Sequence, residues 1–142
     1  MQAYDNIMNT VSIGFVEFKY PKHWLYRVDD NIHSIFYPKE GCGAIQISIL
    51  SKEISEDQNT VDYWIEEYPQ AIHKKYAEID TVFFQEADNM FLIYNWIIVN
   101  RKNMAYITYT INIADSKTDD GINELKTVKG LLNEIKVIKA ST

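Results

Sequence analysis

The sequence predicts an α+β fold, with an antiparallel sheet of about six strands flanked by two main helices in the order β-β-β-α-β-β-β-α. Three observations carry this. Short alternating apolar runs are separated by turn-forming residues rather than by helices, which is how hairpin-linked strands read. Two segments instead carry apolar residues three and four apart. The 142 residues, 46 % hydrophobic and 24 % charged, suit one domain, 1–142, burying roughly two thirds of its unfolded surface.

Val11 to Tyr20 (VSIGFVEFKY) reads as strand. Its alternation changes phase beside Gly14, so a bulge or a separate short strand is expected there. Pro21 has no amide hydrogen to donate and ends the ladder. His33 to Tyr37 forms a second strand before Pro38. After a Gly41-Cys42-Gly43 turn, Ala44 to Ser51 forms a third, with Ile45, Ile47 and Ile49 on one side and Gln46 and Ser48 on the other. The polar run Ser51 to Thr60 reads as a loop that enters a helix.

Asn59 or Thr60 is placed to cap that helix, and Asp62 suits its first turn. Val61, Ile65, Tyr68, Ile72, Tyr76 and Ile79 make an amphipathic stripe. Pro69 removes a backbone donor inside it, so two abutting helices are expected, from about 60 to 68 and from 69 to 78. Strands Thr81 to Glu86, Met90 to Asn100 and Met104 to Ala114 follow. Arg101-Lys102 makes the last two a hairpin.

If Asn100 pairs with Asn103, then Trp96 faces Ile107, Tyr94 faces Tyr109 and Leu92 faces Ile111, on one apolar side with Ile98 and Ala105. The other side is mixed: Asn95 opposite Thr108, Ile93 opposite Thr110 and Phe91 opposite Asn112. A slip of one residue would exchange polar for apolar groups, so this register is favoured. A last helix spans about Thr118 to Ile135, with Asp119 and Asp120 at its N-terminal dipole and Lys136 and Lys139 near its C-terminal end. Its stripe is Ile122, Leu125, Val128, Leu132 and Ile135. Gly130 costs about 1 kcal/mol relative to Ala in mid-helix, which implies close packing.

Phe18-Lys19-Tyr20-Pro21-Lys22-His23-Trp24 fits an F-x-Y-P-x-x-W strand ending, followed by Ile35-Phe36-Tyr37-Pro38 and Gly43-Ala44-Ile45-Gln46-Ile47-Ser48. With the element order, these residues make the chain resemble the PsbP-like superfamily, and in particular its bacterial members known only as a domain of unknown function. The resemblance implies an antiparallel sheet of about six strands flanked by helices. It implies binding or assembly roles, with no shared enzyme activity and no catalytic residues to carry over. In physical terms, Pro21 ends a strand and Trp24 lids a core.

Composition narrows the function. Fourteen basic against twenty acidic residues leave a net charge of −6 with no basic run, which disfavours nucleic acid and anionic membranes. Lys74-Lys75 and Arg101-Lys102 do not make the basic groove that a base-stacking platform needs. Cys42 is the single cysteine, so no internal disulfide forms. The start, Met1-Gln2-Ala3-Tyr4-Asp5-Asn6-Ile7-Met8, has no basic and then apolar pattern of a leader, and no run approaches the about 18 apolar residues of a membrane helix. A cytoplasmic protein is expected.

Chemistry-bearing motifs are sparse. His23, His33 and His73 are far apart and lack metal-ligand spacing. Asp115 to Gly121 resembles a calcium loop, but with Gly121 at its sixth position the first and twelfth positions are Ser116 and Thr127, not acids; helix capping explains it. Cys42 has Lys39 nearby but Glu40 closer, which works against a reactive thiolate. Glu66-Glu67, Asp29-Asp30 and Glu53/Glu56/Asp57 read as solvated faces. No catalytic residues, cofactor or metal are assigned.

The expected function is therefore a non-enzymatic bacterial protein-interaction module, of inhibitor or immunity type, with a protein partner. The mixed hairpin side offers its candidate patch: Phe91, Ile93, Ile97 and Tyr106, unless a helix covers them. A strand edge or the Phe91 side would also serve a homodimer. The alternative is a small-molecule or lipid binder with a pocket lined by Trp24, Trp64, Trp96 and Tyr109. Its motive is the aromatic content, 13 % of the chain.

Overall fold

The computed structural model describes residues 8–37, 42–51, 61–76, 79–100 and 103–138. Its elements are β1 (Met8–Ile13), β2 (Val16–Pro21), β3 (Leu25–Asp29), β4 (Ile32–Phe36), β5 (Gly43–Ser51), α1 (Val61–Glu67), β6 (Ile72–Tyr76), β7 (Ile79–Ala87), β8 (Phe91–Asn100), β9 (Asn103–Asn112), α2 (Ile113–Ser116), α3 (Asp119–Asn133) and β10 (Lys136–Val137). The α+β class and the antiparallel pairing are as expected, but the sheet is split. Among the described residues, seven strands run in the order β3-β4-β5-β9-β8-β7-β6, and β1-β2-β10 form a separate small sheet.

The phase change at Gly14 is a hairpin turn between two strands. Ile13 pairs with Val16 across a two-residue loop, and Gly14 takes a φ of +56°. Such loops favour a positive φ at that position, and a Cβ there would meet Ile49 at 2.8 Å. Of the two expected alternatives the separate short strand is the one observed, and both strands lie outside the main sheet. The main sheet gains β3 instead, which the sequence reading leaves out. Asp30 and Asn31, with φ of 46° and 67°, close the tight β3–β4 hairpin.

Within the expected second helix, 69–78, Ile72–Tyr76 form a strand, and residues 77–78 lie outside the described residues. Pro69 stops α1, and a turn closed by the Ala71 amide donating to the Tyr68 carbonyl leads into β6. Ile72 and Tyr76, four apart, fit a strand period as well as a helical one. Pairing with β7, Ile72 opposite Phe83, decides the matter. The register expected for β8 and β9 is the one observed, with Asn100 opposite Asn103, Trp96 opposite Ile107 and Tyr94 opposite Tyr109. The Arg101-Lys102 turn, residues 52–60 of the expected loop with its Asn59/Thr60 cap, the 38–41 stretch and Lys139 lie outside the described residues. Lys136 lies in β10, past the end of α3.

Three layers result. The small sheet and α3 pack on one side of the large sheet, where Phe18, Ile45, Trp96, Ile107 and Leu132 share one core. On the other side α1 covers the β7–β8–β9 end, with Trp64, Ile65 and Tyr68 over Val82, Phe84 and Ile97. The Tyr68 and Phe84 rings stack at 4.3 Å. The expected stripe of α3 holds at Val128, Leu132 and Ile135, which are buried, and at Leu125, which packs against the core; Ile122 is 46 % exposed instead, and Gly121, Glu124 and Leu131 are buried beside the stripe. Gly130 is not a packing glycine, since a Cβ there meets nothing within 4 Å.

Candidate functional site

A buried polar group organised around Glu124, a residue that the sequence pattern of charged positions does not mark, stands out among the described residues. Thr118 caps α3: its Oγ accepts from the Gly121 amide at 3.0 Å and donates to the Asp115 carbonyl at 2.6 Å. That fixes the start of α3 and turns Glu124, a turn later, toward the sheet. Glu124 is 8 % exposed. Its Oε1 accepts from the Gly43 amide at 2.7 Å and from the Tyr109 hydroxyl at 2.6 Å. The Cys42 amide donates to both carboxylate oxygens, at 3.2 and 3.1 Å. A buried carboxylate is tolerable only with such donors.

Gly43 makes the arrangement fit, because a Cβ there would collide with the Thr110 carbonyl and meet the Tyr109 ring at 2.9 Å. Burial, and then the hydrogen bond to Glu124, push the Tyr109 hydroxyl well above its usual range. Burial also raises the Cys42 thiol, helped by the carboxylates of Glu124, Asp115 and Asp120 and opposed by a hydrogen bond from Thr118. Cys42 therefore stays a thiol at neutral pH rather than an activated nucleophile.

Two depressions flank this group and share Tyr37 as a wall. One, of about 210 Å³, lies between α3 and the β2–β3 turn, lined by His23, Trp24, Tyr37, Asp120, Asn123, Glu124 and Thr127. The His23 ring meets Tyr37 edge-on at 5.0 Å. The other, of about 480 Å³, opens on the opposite side of the sheet at Phe36, Cys42, Ala44, Gln46 and Thr110. Among the described residues, no three His, Cys, Asp or Glu side chains are grouped to hold a metal. No helix among them is long and apolar enough to cross a membrane.

The patch expected on the hairpin does not form one exposed surface. Phe91 is 37 % exposed, but Ile97 is fully buried, and Ile97 and Tyr106 pack with α1. Ile93 is half-buried. Under α1 a second polar group is closed: Asn95 donates to Glu86 at 3.1 Å and accepts from the Tyr106 hydroxyl at 2.9 Å. Burial raises the Tyr106 hydroxyl to about 12, with smaller contributions from Tyr68 and Glu86. Nor do Trp24, Trp64, Trp96 and Tyr109 line a common pocket. Trp96 and Tyr109 are packed inside one core, and Trp64 sits on the other side of the sheet.

The split sheets, the covering helices and the motif-bearing β2 and β4–β5 segments define a PsbP-like fold. The chain is similar to cyanobacterial PsbP (CyanoP) from Synechocystis, with a TM-score of 0.56 and 11 % identity over 92 % of each chain. Similar too are the protein of unknown function PA94 from Pseudomonas aeruginosa (TM-score 0.54, 13 % identity, 95 % of this chain and 99 % of that one) and a Bacteroides thetaiotaomicron protein (TM-score 0.72, 14 % identity, 93 % of this chain). The chain spans about half of that Bacteroides protein, 48 %. LpqN, involved in cell envelope biogenesis of Mycobacterium tuberculosis, shares the fold at 12 % identity, with a TM-score of 0.51 and 96 % of each chain covered. No protein-family model and no curated protein sequence matches the chain. Identities this low carry the fold and nothing of the role.

Proposed function

We propose that this chain is a non-catalytic bacterial protein-interaction module of inhibitor or immunity type, and that its partner inserts a basic side chain into the depression beside Glu124. One observation carries the reading: a small pocket lined by Trp24, Tyr37 and His23 together with the exposed Asp120 carboxylate, with Glu124 buried behind it. Aromatic faces and carboxylates together favour an ammonium or guanidinium group, and the net charge of −6 steers basic partners toward the surface. The carboxylate and hydroxyl best placed for acid–base work, Glu124 and Tyr109, are spent on each other and on backbone amides. The buried positions of Trp96 and Tyr109 weigh against the small-molecule or lipid reading.

The test is a capture experiment from native lysate with the wild-type chain and the Asp120→Lys and Tyr37→Ala variants. A stoichiometric partner held by the wild type and lost by both variants is expected. Recovery of no stoichiometric partner, or of one that both variants hold equally, refutes the proposal.

A further inference from the structure

The large sheet ends in two strands that have one neighbour each among the described residues, β3 and β6. An open edge displays unpaired amides and carbonyls, and proteins blunt such edges with like charges, above all lysine. The β6 edge is treated this way. It carries Lys74 and Lys75 beside Ile72, which is 47 % exposed, and the Lys74 ammonium lies 4.9 Å over the Phe83 ring. The small sheet's β1 edge exposes small polar residues, Thr10 and Ser12. The β3 edge differs from both. Leu25 is 51 % and Val28 49 % exposed, with Ile32 beside them at 40 %. It has no proline and no lysine; its charges within the strand are one of each sign, Arg27 and Asp29, and Asp30 already belongs to the turn.

The charges on β3 are arranged symmetrically. Arg27 and Asp29 flank Val28, and their side chains are 67 % and 72 % exposed. From this self-complementarity we infer that β3 is the pairing edge of a homodimer, in which a second copy adds its own β3 antiparallel about a two-fold axis at Val28. Val28 then faces Val28 of the second copy. Arg27 of each copy faces Asp29 of the other, and both such pairs lie on one side of the sheet. Leu25 comes to the other copy's Asp30–Asn31 turn, where Ile32 is exposed. The tight turn keeps the edge clear on that end. The two large sheets join into one continuous sheet. The inference stands apart from the basic-side-chain pocket, which lies at α3.

The pairing strand is five residues long, so the dimer is weak and depends on concentration and on salt. Sedimentation velocity from about 10 to 500 µM is the measurement, on the wild-type chain and on R27D and D29R. The wild type is expected to show a reversible monomer–dimer equilibrium that weakens as salt rises. Each variant alone sets like charges opposite each other and is expected to weaken the dimer by about tenfold or more. An equimolar mixture of R27D and D29R is expected to restore it as a heterodimer, because the charges are again complementary between copies. Within either variant the Arg27–Asp29 contact, at 3.2 Å in the wild type, stays broken, so rescue on mixing reads only the contact between chains. A third variant, Val28→Lys, abolishes the dimer without using that ion pair. A wild type that is monomeric across the range, a dimer indifferent to all three variants, or a mixture that fails to rescue overturns the inference.

Discussion

At the scale of single residues, Glu124 joins α3 to both β5 and β9 through donors from Cys42, Gly43 and Tyr109. Its spacing of four from Val128 places it on the helix stripe, which is a signal present in the sequence. A charged residue is ordinarily counted as facing water, so the signal is read the wrong way. Glu124→Gln puts an amide donor where only donors point, and about 1–3 kcal/mol of stability is expected to be lost in urea unfolding. Tyr109→Phe is expected to cost less, since two amide donors remain. Tyr106 offers a pH test. Its pKa is raised from 10 to about 12, so folding favours the protonated hydroxyl. That contribution is fully present below pH 10 and is lost as pH rises toward about 12. Stability followed against pH is expected to fall across this window, and Tyr106→Phe to fall less steeply.

At the scale of elements, the strands and helices form where local patterns and tertiary pairing agree. The β8–β9 register is legible because one side alternates Leu92, Tyr94, Trp96 and Ile98 against Ile111, Tyr109, Ile107 and Ala105. The 69–78 segment reads as a helix because Ile72 and Tyr76 are four apart, which is also an even number, so both periods fit. β3 leaves no signal in the sequence, since its exposed edge position has no buried side to imprint an alternation. Glycines separate the two kinds of constraint. Gly130→Ala is expected to raise stability by about 0.5–1 kcal/mol, because the helix gains propensity in open space. Gly43→Ala and Gly121→Ala are expected to lower it by about 1–3 kcal/mol, since the added carbon would strike the Thr110 and Asp115 carbonyls. Thermal unfolding of the three variants checks both signs.

At the scale of the whole molecule, the large sheet is covered unequally. α3 and the small sheet bury one side, α1 buries the far end of the other, and the β4–β5 end keeps an open depression. Both proposals sit where that coverage stops, one beside α3 at Tyr37 and one at the β3 edge. The aromatic excess is mostly structural: Trp96, Tyr109, Phe18 and Phe84 are among the largest fully buried side chains. The class, the start of the last helix near Thr118 and the central hairpin's register are legible in the sequence, because these depend on periodicity and on contacts near in the chain. Tertiary contacts set the rest: β1 and β2 leave the main sheet, α1 covers Ile97, and a carboxylate belongs in the core. Each of those rests on a partner distant in sequence, as Glu124 does on amides 81 and 82 residues away, and such a partner leaves no mark on local pattern.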